Sequence, residues 1–296
     1  MTPRQFRRRF RTEWDCLRYL FKRKWPDGFR CPRCGHERAF SIPSRRKYQC
    51  KRCDHQTSLT AHTIFHKTHK PLRDWFWAIF VVATRTTGSC ARQPQYDLGI
   101  TYPTAWSWCH KIRKAMEDRD TRYTLRGMVE LDDTSVGGKR QSGKQGRGAR
   151  REVPVLMAVE SQPKGCGHVA LSKVSLLTCH QTKGFLTDTV EMDTLIFSDG
   201  LSVYQSLSQD FNLYPLTVGN AQRAVEIFPD VHGVIAPLKT WIRGTHTHVS
   251  SKHLNRYLTE FSYRFKHRRD TIVDRLVTAC CTTQTVTYRE LVSALN

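Results

Sequence analysis

Long apolar stretches are absent from this sequence, and their absence excludes one class of protein. The longest apolar run, Trp75 to Ala83, has nine residues, whereas a helix that spans a bilayer needs about 20. The first fifteen residues carry five arginines and no apolar stretch follows them closely, so a secretory signal is also missing. We therefore expect a protein of the cytoplasm without a membrane partner.

Acidic residues are scarce relative to basic ones. The chain has 26 Asp and Glu against 48 Lys and Arg, which gives a formal net charge of +22 and a sequence pI near 9.9. Such an excess attracts polyanions, most commonly nucleic acid. A membrane-surface role would favour a basic amphipathic helix, but the dense basic segment 139–151 is rich in glycine. We predict nucleic-acid contacts from its six cations, Lys139, Arg140, Lys144, Arg147, Arg150 and Arg151.

Four of the eleven cysteines form two pairs of identical spacing. Fifteen residues separate Cys31-Pro-Arg-Cys34 from Cys50-Lys-Arg-Cys53. In the cytoplasm such pairs indicate metal ligands rather than disulfides, and two Cys-x-x-Cys knuckles complete a closed, structural Zn²⁺ site. The other seven cysteines lack ligand spacing and are interpreted as small buried residues. A zinc deaminase is excluded because its His-x-Glu element and the proline before its cysteine pair are missing.

Helical patterns follow the cysteine pairs. Pro71 opens a pattern that runs to about Arg85. Residues 89–116 then contain two helical stretches around a turn at Gly99, as in a helix-turn-helix whose second helix can enter the major groove. Many helical hairpins share this pattern without binding DNA. Pro94 also counts against it, because a proline inside a helix costs roughly 3 kcal/mol.

The pattern changes to strands from about Gly127. Apolar runs between turn-rich connections predict strands at Met128 to Val136, Val153 to Val159, Val169 to Leu177 and, after a helical stretch, Leu195 to Phe197. This order predicts a mixed α/β sheet. Apolar residues at helical spacing between Leu254 and Phe265 predict a helix that packs on it.

Two aspartates stand at informative places in these strands. Asp132 lies within an apolar strand, and Asp199 ends another strand directly before Gly200. Carboxylates on neighbouring strands could hold Mg²⁺, which prefers oxygen ligands and keeps positions open for phosphate and water. Such ions activate a nucleophile and stabilise the leaving oxygen of an in-line displacement. Taken singly, each aspartate is also explained as a turn or a strand-end cap.

The order of motifs along the chain resembles that of a known family. The motifs are Cys-Pro-x-Cys-Gly-His from Cys31, Tyr48-Gln49-Cys50-Lys51-x-Cys53, Thr63-Ile64-Phe65-His66-Lys67-Thr68, Trp75-Phe76-x-Ala78, Val129-Glu130-Leu131-Asp132, Gly137-Gly138-Lys139, Gly146-Arg147-Gly148-Ala149, Asp199-Gly200, and Lys252-His253-Leu254 with Tyr257-Leu258-x-Glu260-Phe261. They cover nearly the whole chain. Together they resemble the zinc-ribbon transposases of bacterial insertion sequences often termed ISXO-like.

The resemblance implies an α/β fold, in which a ribonuclease H-like mixed-sheet domain of the DDE type follows a zinc ribbon and a helix-turn-helix-like segment. It implies that Asp132 and Asp199, with 66 residues between them, bind Mg²⁺ or Mn²⁺. His232 would be the third catalytic ligand, and Lys239 a DNA contact near the reacting phosphate. Seven residues make about two helical turns, so His232 and Lys239 would share one helix face.

Some positions leave alternatives open. Glu226 and Asp230 are carboxylates close to His232 in sequence that could take the third place instead. Family members usually have Glu where Asp133 stands, and Asn-Arg-Arg where this chain has Lys266-His267-Arg268. A non-catalytic DNA-binding descendant of a transposase is therefore an alternative, and so is a ribonuclease or junction resolvase on the same fold.

The resemblance implies a transposase that binds the inverted-repeat ends of its element, frees 3′-hydroxyls by metal-dependent hydrolysis and joins them to target DNA. Two ends must be brought together, so we expect a homo-oligomer, located at the nucleoid. The predicted segments are a basic leader at 1–27, the zinc ribbon at 28–66, the helix-turn-helix-like segment at 70–120, the catalytic domain at 126–270 and a C-terminal tail at 271–296.

Overall fold

A computed structural model describes residues 1–85, 88–120, 123–137, 152–163, 165–246, 249–267 and 272–293. The chain divides into two compact units, Met1–Asp118 with Asp270–Ala294, and Arg119–Arg269 with the last two residues. Each helix in the described ranges is too short or too polar to cross a membrane. The six predicted DNA contacts of the Gly-rich basic segment, Lys139, Arg140, Lys144, Arg147, Arg150 and Arg151, lie outside the described residues.

Two helices open the first unit, α1 (Pro3–Arg9) and α2 (Glu13–Lys24). Thr2 and Thr12 begin them, and each threonine forms a capping box with the residue three positions later. Phe6 on α1 is buried. The segment predicted as a basic leader is therefore folded into the unit by an apolar anchor.

A small antiparallel sheet follows, made of β1 (Ala39–Ile42), β2 (Lys47–Cys50) and β3 (Gln56–Ser58) with β2 in the centre. Lys24 at the end of α2 fixes the chain that leaves this sheet. Its Nζ donates hydrogen bonds to the carbonyl oxygens of Ser58, Leu59 and Ala61. The sheet is thereby joined to the helix that precedes it in sequence.

Three helices complete the N-terminal part of this unit: α3 (Leu72–Thr84), α4 (Arg92–Leu98) and α5 (Tyr102–Asp120). Gly99 ends α4 in the left-handed region at φ +59° and donates its N–H to Gln95, which is a glycine C-cap. Pro94 is the third residue of α4, where a backbone N–H has no intrahelical acceptor. The proline therefore removes no helix hydrogen bond, and the objection raised from sequence is wrong.

The second unit is built on a five-stranded sheet. Its elements in chain order are β4 (Met128–Val136), β5 (Val153–Glu160), β6 (Val169–Lys173), α6 (Cys179–Thr189), β7 (Leu195–Asp199), α7 (Ser202–Gln205), β8 (Leu213–Leu216), α8 (Ala221–Ile227), α9 (Pro229–Trp241), a π-helical turn (Ile242–His246) and α10 (Leu254–Lys266). The strand order is β6-β5-β4-β7-β8, with β5 antiparallel to its neighbours and β7 and β8 parallel to β4. This is the mixed sheet of a ribonuclease H-like domain, and the predicted fold class is confirmed.

Side chains alternate between the two faces of this sheet. Val129 and Leu131 of β4 pack in one apolar cluster with residues of α6 and α7. Val136 of β4 packs in a second cluster with residues of α9 and α10. Because successive strand residues point to opposite faces, even-numbered positions of β4 lie on the side of α9.

The last two helices, α11 (Ile272–Thr282) and α12 (Tyr288–Ser293), belong to the first unit. Leu276 and Cys280 of α11 are fully buried. Asp274 on the same helix accepts hydrogen bonds from Tyr19 Oη at 2.7 Å and from Arg9 Nη1 at 3.0 Å. The segment predicted as a C-terminal tail therefore contributes to the core of the first unit.

Candidate active site

The four paired cysteines meet at one point. All four sulfur atoms lie within 4.8 Å of one another, with 3.6 Å from Cys31 Sγ to Cys53 Sγ and 3.6 Å from Cys34 Sγ to Cys50 Sγ. A disulfide would require about 2.0 Å, whereas tetrahedral Zn²⁺ with bonds of about 2.3 Å places its sulfurs about 3.8 Å apart. The spacing therefore fits a shared metal ion.

The two knuckles have the same backbone geometry. Gly35 donates its N–H to the carbonyl of Cys31 at 2.9 Å, and Asp54 donates to the carbonyl of Cys50 at 3.2 Å. Both donors have positive φ angles, +73° for Gly35 and +54° for Asp54, which few residues other than glycine adopt. These tight turns point the two thiols of each knuckle at the same place.

The two predicted metal-binding aspartates are neighbours in the large sheet. Strands β4 and β7 run parallel, with Leu131 opposite Ser198. The next residues are Asp132 and Asp199, so their strand positions lie side by side, about 4.8 Å apart as in any strand pair. Both are half-buried. The structure thus brings together two carboxylates that are separated by 66 residues in sequence.

Asp132 and Asp199 also share the face of the sheet that α9 covers. Asp132 and Val136 are an even number of residues apart on β4, so both side chains point to the face on which Val136 packs with α9. Asp199 and Ile196 are an odd number of residues apart on β7, so Asp199 points away from the other cluster, in which Ile196 packs. Asp133 points to the other face, where Tyr204 Oη donates to its Oδ1 at 3.3 Å. The departure from the family pattern at position 133 is therefore not on the face of the aspartate pair.

Tyr204 is a buried phenol at this edge of the sheet that sequence reasoning missed. Its side chain is fully buried. Burial raises the pKa of Tyr204 far above its usual range, and the negative charges of Asp133, Asp132 and Asp199 raise it further. The hydroxyl is therefore a permanent hydrogen-bond donor beside three carboxylates.

Glu130 is a second residue near the pair to which the sequence assigned no role. Its buried carboxylate accepts the N–H of Val231 at 2.8 Å, in the first turn of α9. Burial raises the pKa of Glu130 to about 7, as do the charges of Asp230 and Asp132, against the opposing effect of the backbone hydrogen bonds. A carboxylate from the central strand thus anchors the N-terminus of α9, where unpaired N–H groups favour negative charge.

His232 and Lys239 lie on α9, as the resemblance implied, and both are half-buried on one flank of the helix. Burial lowers the pKa of His232, which favours its neutral, ligand-competent form. Within the part of the chain that the structure describes, Asp132, Asp199 and His232 do not form one three-ligand cluster of the kind that the cysteines form. His232 lies on the helix that covers the face of Asp132 and Asp199, but it does not cluster with both aspartates.

The alternative third residues lie on either side of the same helix start. Glu226 is exposed on α8, and Asp230 is half-buried in the first turn of α9. Neither belongs to a three-ligand cluster among the described residues. Geometry alone therefore leaves three candidates for the third position.

A ribonuclease H-like sheet with two neighbouring aspartates, in one chain with a four-cysteine ribbon, is the arrangement expected of a DDE-type transposase with a zinc ribbon. Family models match both parts of the chain, the ISXO2-like transposase domain at residues 124–266 and the transposase zinc-ribbon domain at residues 11–56. The chain belongs to the ISXO2-like transposase family. The matched ranges contain the positions of the four ribbon cysteines and of Asp132, Asp199, His232 and Lys239.

Individual relatives are distant. A protein of the transposable element ISH50 from Halobacterium salinarum, itself described as uncharacterized, is 24% identical over 218 residues, which is 68% of this chain and 72% of that protein. The Mos1 transposase paired-end complex with left transposon end aligns at a TM-score of 0.29 and 12% identity, over 74% of this chain and 82% of that one. A pre-cleavage Mos1 transpososome aligns at a TM-score of 0.28 and 10% identity, over 75% of this chain and 82% of that one. Membership of the family rests on the two domain models, not on these likenesses.

Proposed function

We propose that this protein is an active DDE-type transposase, which binds the inverted-repeat ends of its own insertion sequence and cuts and joins DNA strands. The observation that carries the proposal is the pair Asp132 and Asp199, adjacent on parallel strands and on one face of the sheet. Two carboxylates on neighbouring strand positions repel each other when both are ionised. A shared divalent cation removes that repulsion.

The chemistry of the donors suits Mg²⁺ or Mn²⁺, both of which accept carboxylate oxygens. A bound ion supplies positive charge that activates a water or 3′-hydroxyl and stabilises the leaving oxygen. Asp132 and Asp199 would hold the ion, and His232 on α9 would be its third ligand. Lys239 on the same flank of α9 contacts a neighbouring phosphate. The protein contributes placement of the scissile phosphate in line with its nucleophile.

The first unit has a binding role in this proposal. Its four cysteines hold one structural Zn²⁺, and its helix-turn-helix of α4 and α5 contacts duplex DNA. The Gly-rich basic segment at 139–151 adds non-specific attraction to the phosphates. A homo-oligomer holds the two ends of the element together.

Purified protein with Mg²⁺ or Mn²⁺ and labelled DNA tests the proposal. We expect nicks at the 3′ ends of the element in end-containing duplexes and none in duplexes whose end sequence is scrambled. Binding without nicking would support the non-catalytic descendant. Equal cleavage of both duplexes, or of an RNA strand, would support a nuclease that does not recognise ends.

A further inference from the structure

A positively charged pocket lies in the first unit, whereas the paired aspartates belong to the second. It is lined by the segment 66–70, by Trp75 of α3, by one face of the N-terminal half of α5 and by Tyr288 of α12. Its volume is about 500 Å³. This size falls in the range of about 300–1,000 Å³ that is typical of ligand sites.

The lining is basic, and the described residues that form it include no carboxylate. Three lysines and two histidines line the pocket, namely His66, Lys67, His69, Lys70 and Lys111. Burial lowers the pKa of Lys111 against the opposing charge of Glu290, whose Oε2 already accepts the N–H of Thr287 at 2.6 Å. Burial and the charges of neighbouring cations lower the pKa of His66. The cluster is therefore under mutual repulsion that an anion would relieve.

Aromatic rings form the base and rim of the pocket. Trp75 and Trp108 stack with ring centroids 4.0 Å apart and planes 18° apart, and both are buried. Trp75 Nε1 donates to Thr68 Oγ1 at 2.9 Å, which holds the cationic segment against this base. Tyr288 is 55% exposed, so part of its ring surface is accessible at the rim.

We propose that this pocket binds single-stranded DNA, with the phosphates on Lys67, Lys70 and Lys111 and an unstacked base against Tyr288. Cations that follow the backbone together with an accessible aromatic ring are the combination that recognises single strands. A duplex offers phosphates but keeps its base faces stacked. The inference rests on the proposed function only in taking DNA as the polyanion, and it adds that the first unit holds an unpaired strand.

Fluorescence anisotropy with the full chain tests this proposal. The probes are a fluorescein-labelled ten-nucleotide oligo-dT and a labelled duplex of equal length, without added Mg²⁺ or Mn²⁺. We expect Tyr288→Ala to weaken oligo-dT binding about 5- to 100-fold and to change duplex binding less than about twofold. Tyr288→Phe should keep the ring and the affinity. The matched control is Trp14→Ala, because Trp14 on α2 is 52% exposed in the same unit and does not line the pocket.

The lysines are tested by the dependence of oligo-dT binding on salt. The double variant Lys67→Ala, Lys70→Ala removes two exposed cations and should lower the slope of log K against log salt by about 1.4, at about 0.7 per phosphate on a single strand. Lys22→Ala, an exposed lysine of α2, should lower the slope by less. Melting curves of all variants should match that of the wild type, because each altered side chain is exposed.

Three outcomes would overturn the inference. One is oligo-dT binding by Tyr288→Ala that equals that of Trp14→Ala, and another is equal loss of single-strand and duplex binding. The third is that polyglutamate displaces the labelled oligo-dT as well as unlabelled oligo-dT does, when the two competitors are compared at equal concentrations of negative charge. That result would indicate a site for acidic protein. Because no catalytic metal is added, these results are independent of whether the protein cleaves element ends.

Discussion

A buried carboxylate holds together one end of the sheet in the second unit. Glu160, 3% exposed, accepts hydrogen bonds from Tyr123 Oη at 2.6 Å, Arg126 N at 3.0 Å and His168 N at 3.2 Å. A Cβ added at Gly167 would lie 2.9 Å from Glu160 Oε2, so glycine is needed at that position. This network places the ring of His168 against that of Tyr123, with 3.6 Å between centroids.

His168 makes stability dependent on pH. Burial lowers the pKa of His168 to about 4 from 6.5, and the charges of Lys266, His267 and Arg126 outweigh the opposing effect of Glu160. The unfolded chain then binds more protons than the folded one between about pH 6.5 and 4, so stability is full above pH 6.5 and falls as the pH drops. We expect a loss of about 2 to 3 kcal/mol.

Urea unfolding of the wild type and of His168→Gln at pH 7.5, 6, 5 and 4 measures this effect. The variant should lose less stability than the wild type across that range. The control is His180→Gln, since His180 is exposed on α6. Parallel loss in the wild type and in His168→Gln would assign the acid sensitivity to other groups.

His232 is the predicted metal ligand that the structure does not cluster with both aspartates, so its role needs a test of its own. Imidazole suits softer transition ions than Mg²⁺. We expect His232→Ala to reduce end cleavage strongly, by about tenfold or more with Mn²⁺, and His232→Glu to restore part of the activity with Mg²⁺. Normal cleavage by His232→Ala together with inactive Glu226→Gln or Asp230→Asn would transfer the role to that carboxylate.

Among the elements, helix α9 is held in position by a contact with a residue outside the helix. Glu130 on β4 binds the first turn of this helix, which carries His232 and Lys239. Glu130→Ala would leave the buried N–H of Val231 unsatisfied, so we expect a loss of about 1 to 3 kcal/mol in the free energy of unfolding. Cleavage should fall as the helix loses its position.

Glu130→Gln separates hydrogen bonding from charge, because its amide oxygen can still accept the N–H of Val231. We expect this variant to keep more stability than Glu130→Ala in urea unfolding at pH 8. Asp188→Ala, at an exposed position of α6, should be neutral. If Glu130→Ala were equally neutral, the contact would not determine where α9 lies.

The strong periodic elements were predictable from sequence, and the weakly patterned ones were not. β4 begins and ends where the apolar run predicts, and α3 spans Leu72–Thr84 within the predicted Pro71 to Arg85. β8 was missed because its four residues contain Pro215, which is uncommon within strands. α1 was missed although Thr2-Pro3-Arg4-Gln5 is the pattern of a capping box.

The burial of the cysteines outside the ribbon could be predicted only in part from their residue type. The prediction that they are small buried residues is correct for four of them, Cys16, Cys109, Cys280 and Cys281. It is wrong for Cys179, which is exposed at the start of α6. A helix terminus at the surface, not the residue type, determines that exposure.

The candidate site was partly predictable for the same reason. Asp132 and Asp199 stand in or after apolar runs, so the sequence indicates their strands and only the sheet order is needed to pair them. Tyr204 and Glu130 act through tertiary contacts, to Asp133 and to α9. No local pattern predicts such contacts, because the partners are 71 and 101 residues away.

At the scale of the whole molecule, we expect folding of the zinc ribbon in the first unit to depend on its metal ion. We expect about one zinc per chain by metal analysis, and Cys34→Ser should lose it and bind DNA more weakly, because folding of a ribbon is coupled to metal binding. Cys90→Ser, at a half-buried cysteine outside the ribbon, is the matched control and should retain zinc. Soluble protein that binds DNA tightly without zinc would contradict a structural metal.

The most direct measurement is strand cleavage by aspartate variants on labelled element ends, with Mn²⁺ and with Mg²⁺, alongside DNA binding by the same samples. Asp132→Asn and Asp199→Asn should each lower cleavage by at least about a thousandfold, as expected when a metal ligand of the catalytic step is removed, and should bind DNA as the wild type does. Asp133→Asn should cleave normally, because Asp133 faces Tyr204 on the other side of the sheet. Cleavage that survives both asparagine substitutions, or that is lost only with Asp133→Asn, would contradict a metal site at Asp132 and Asp199.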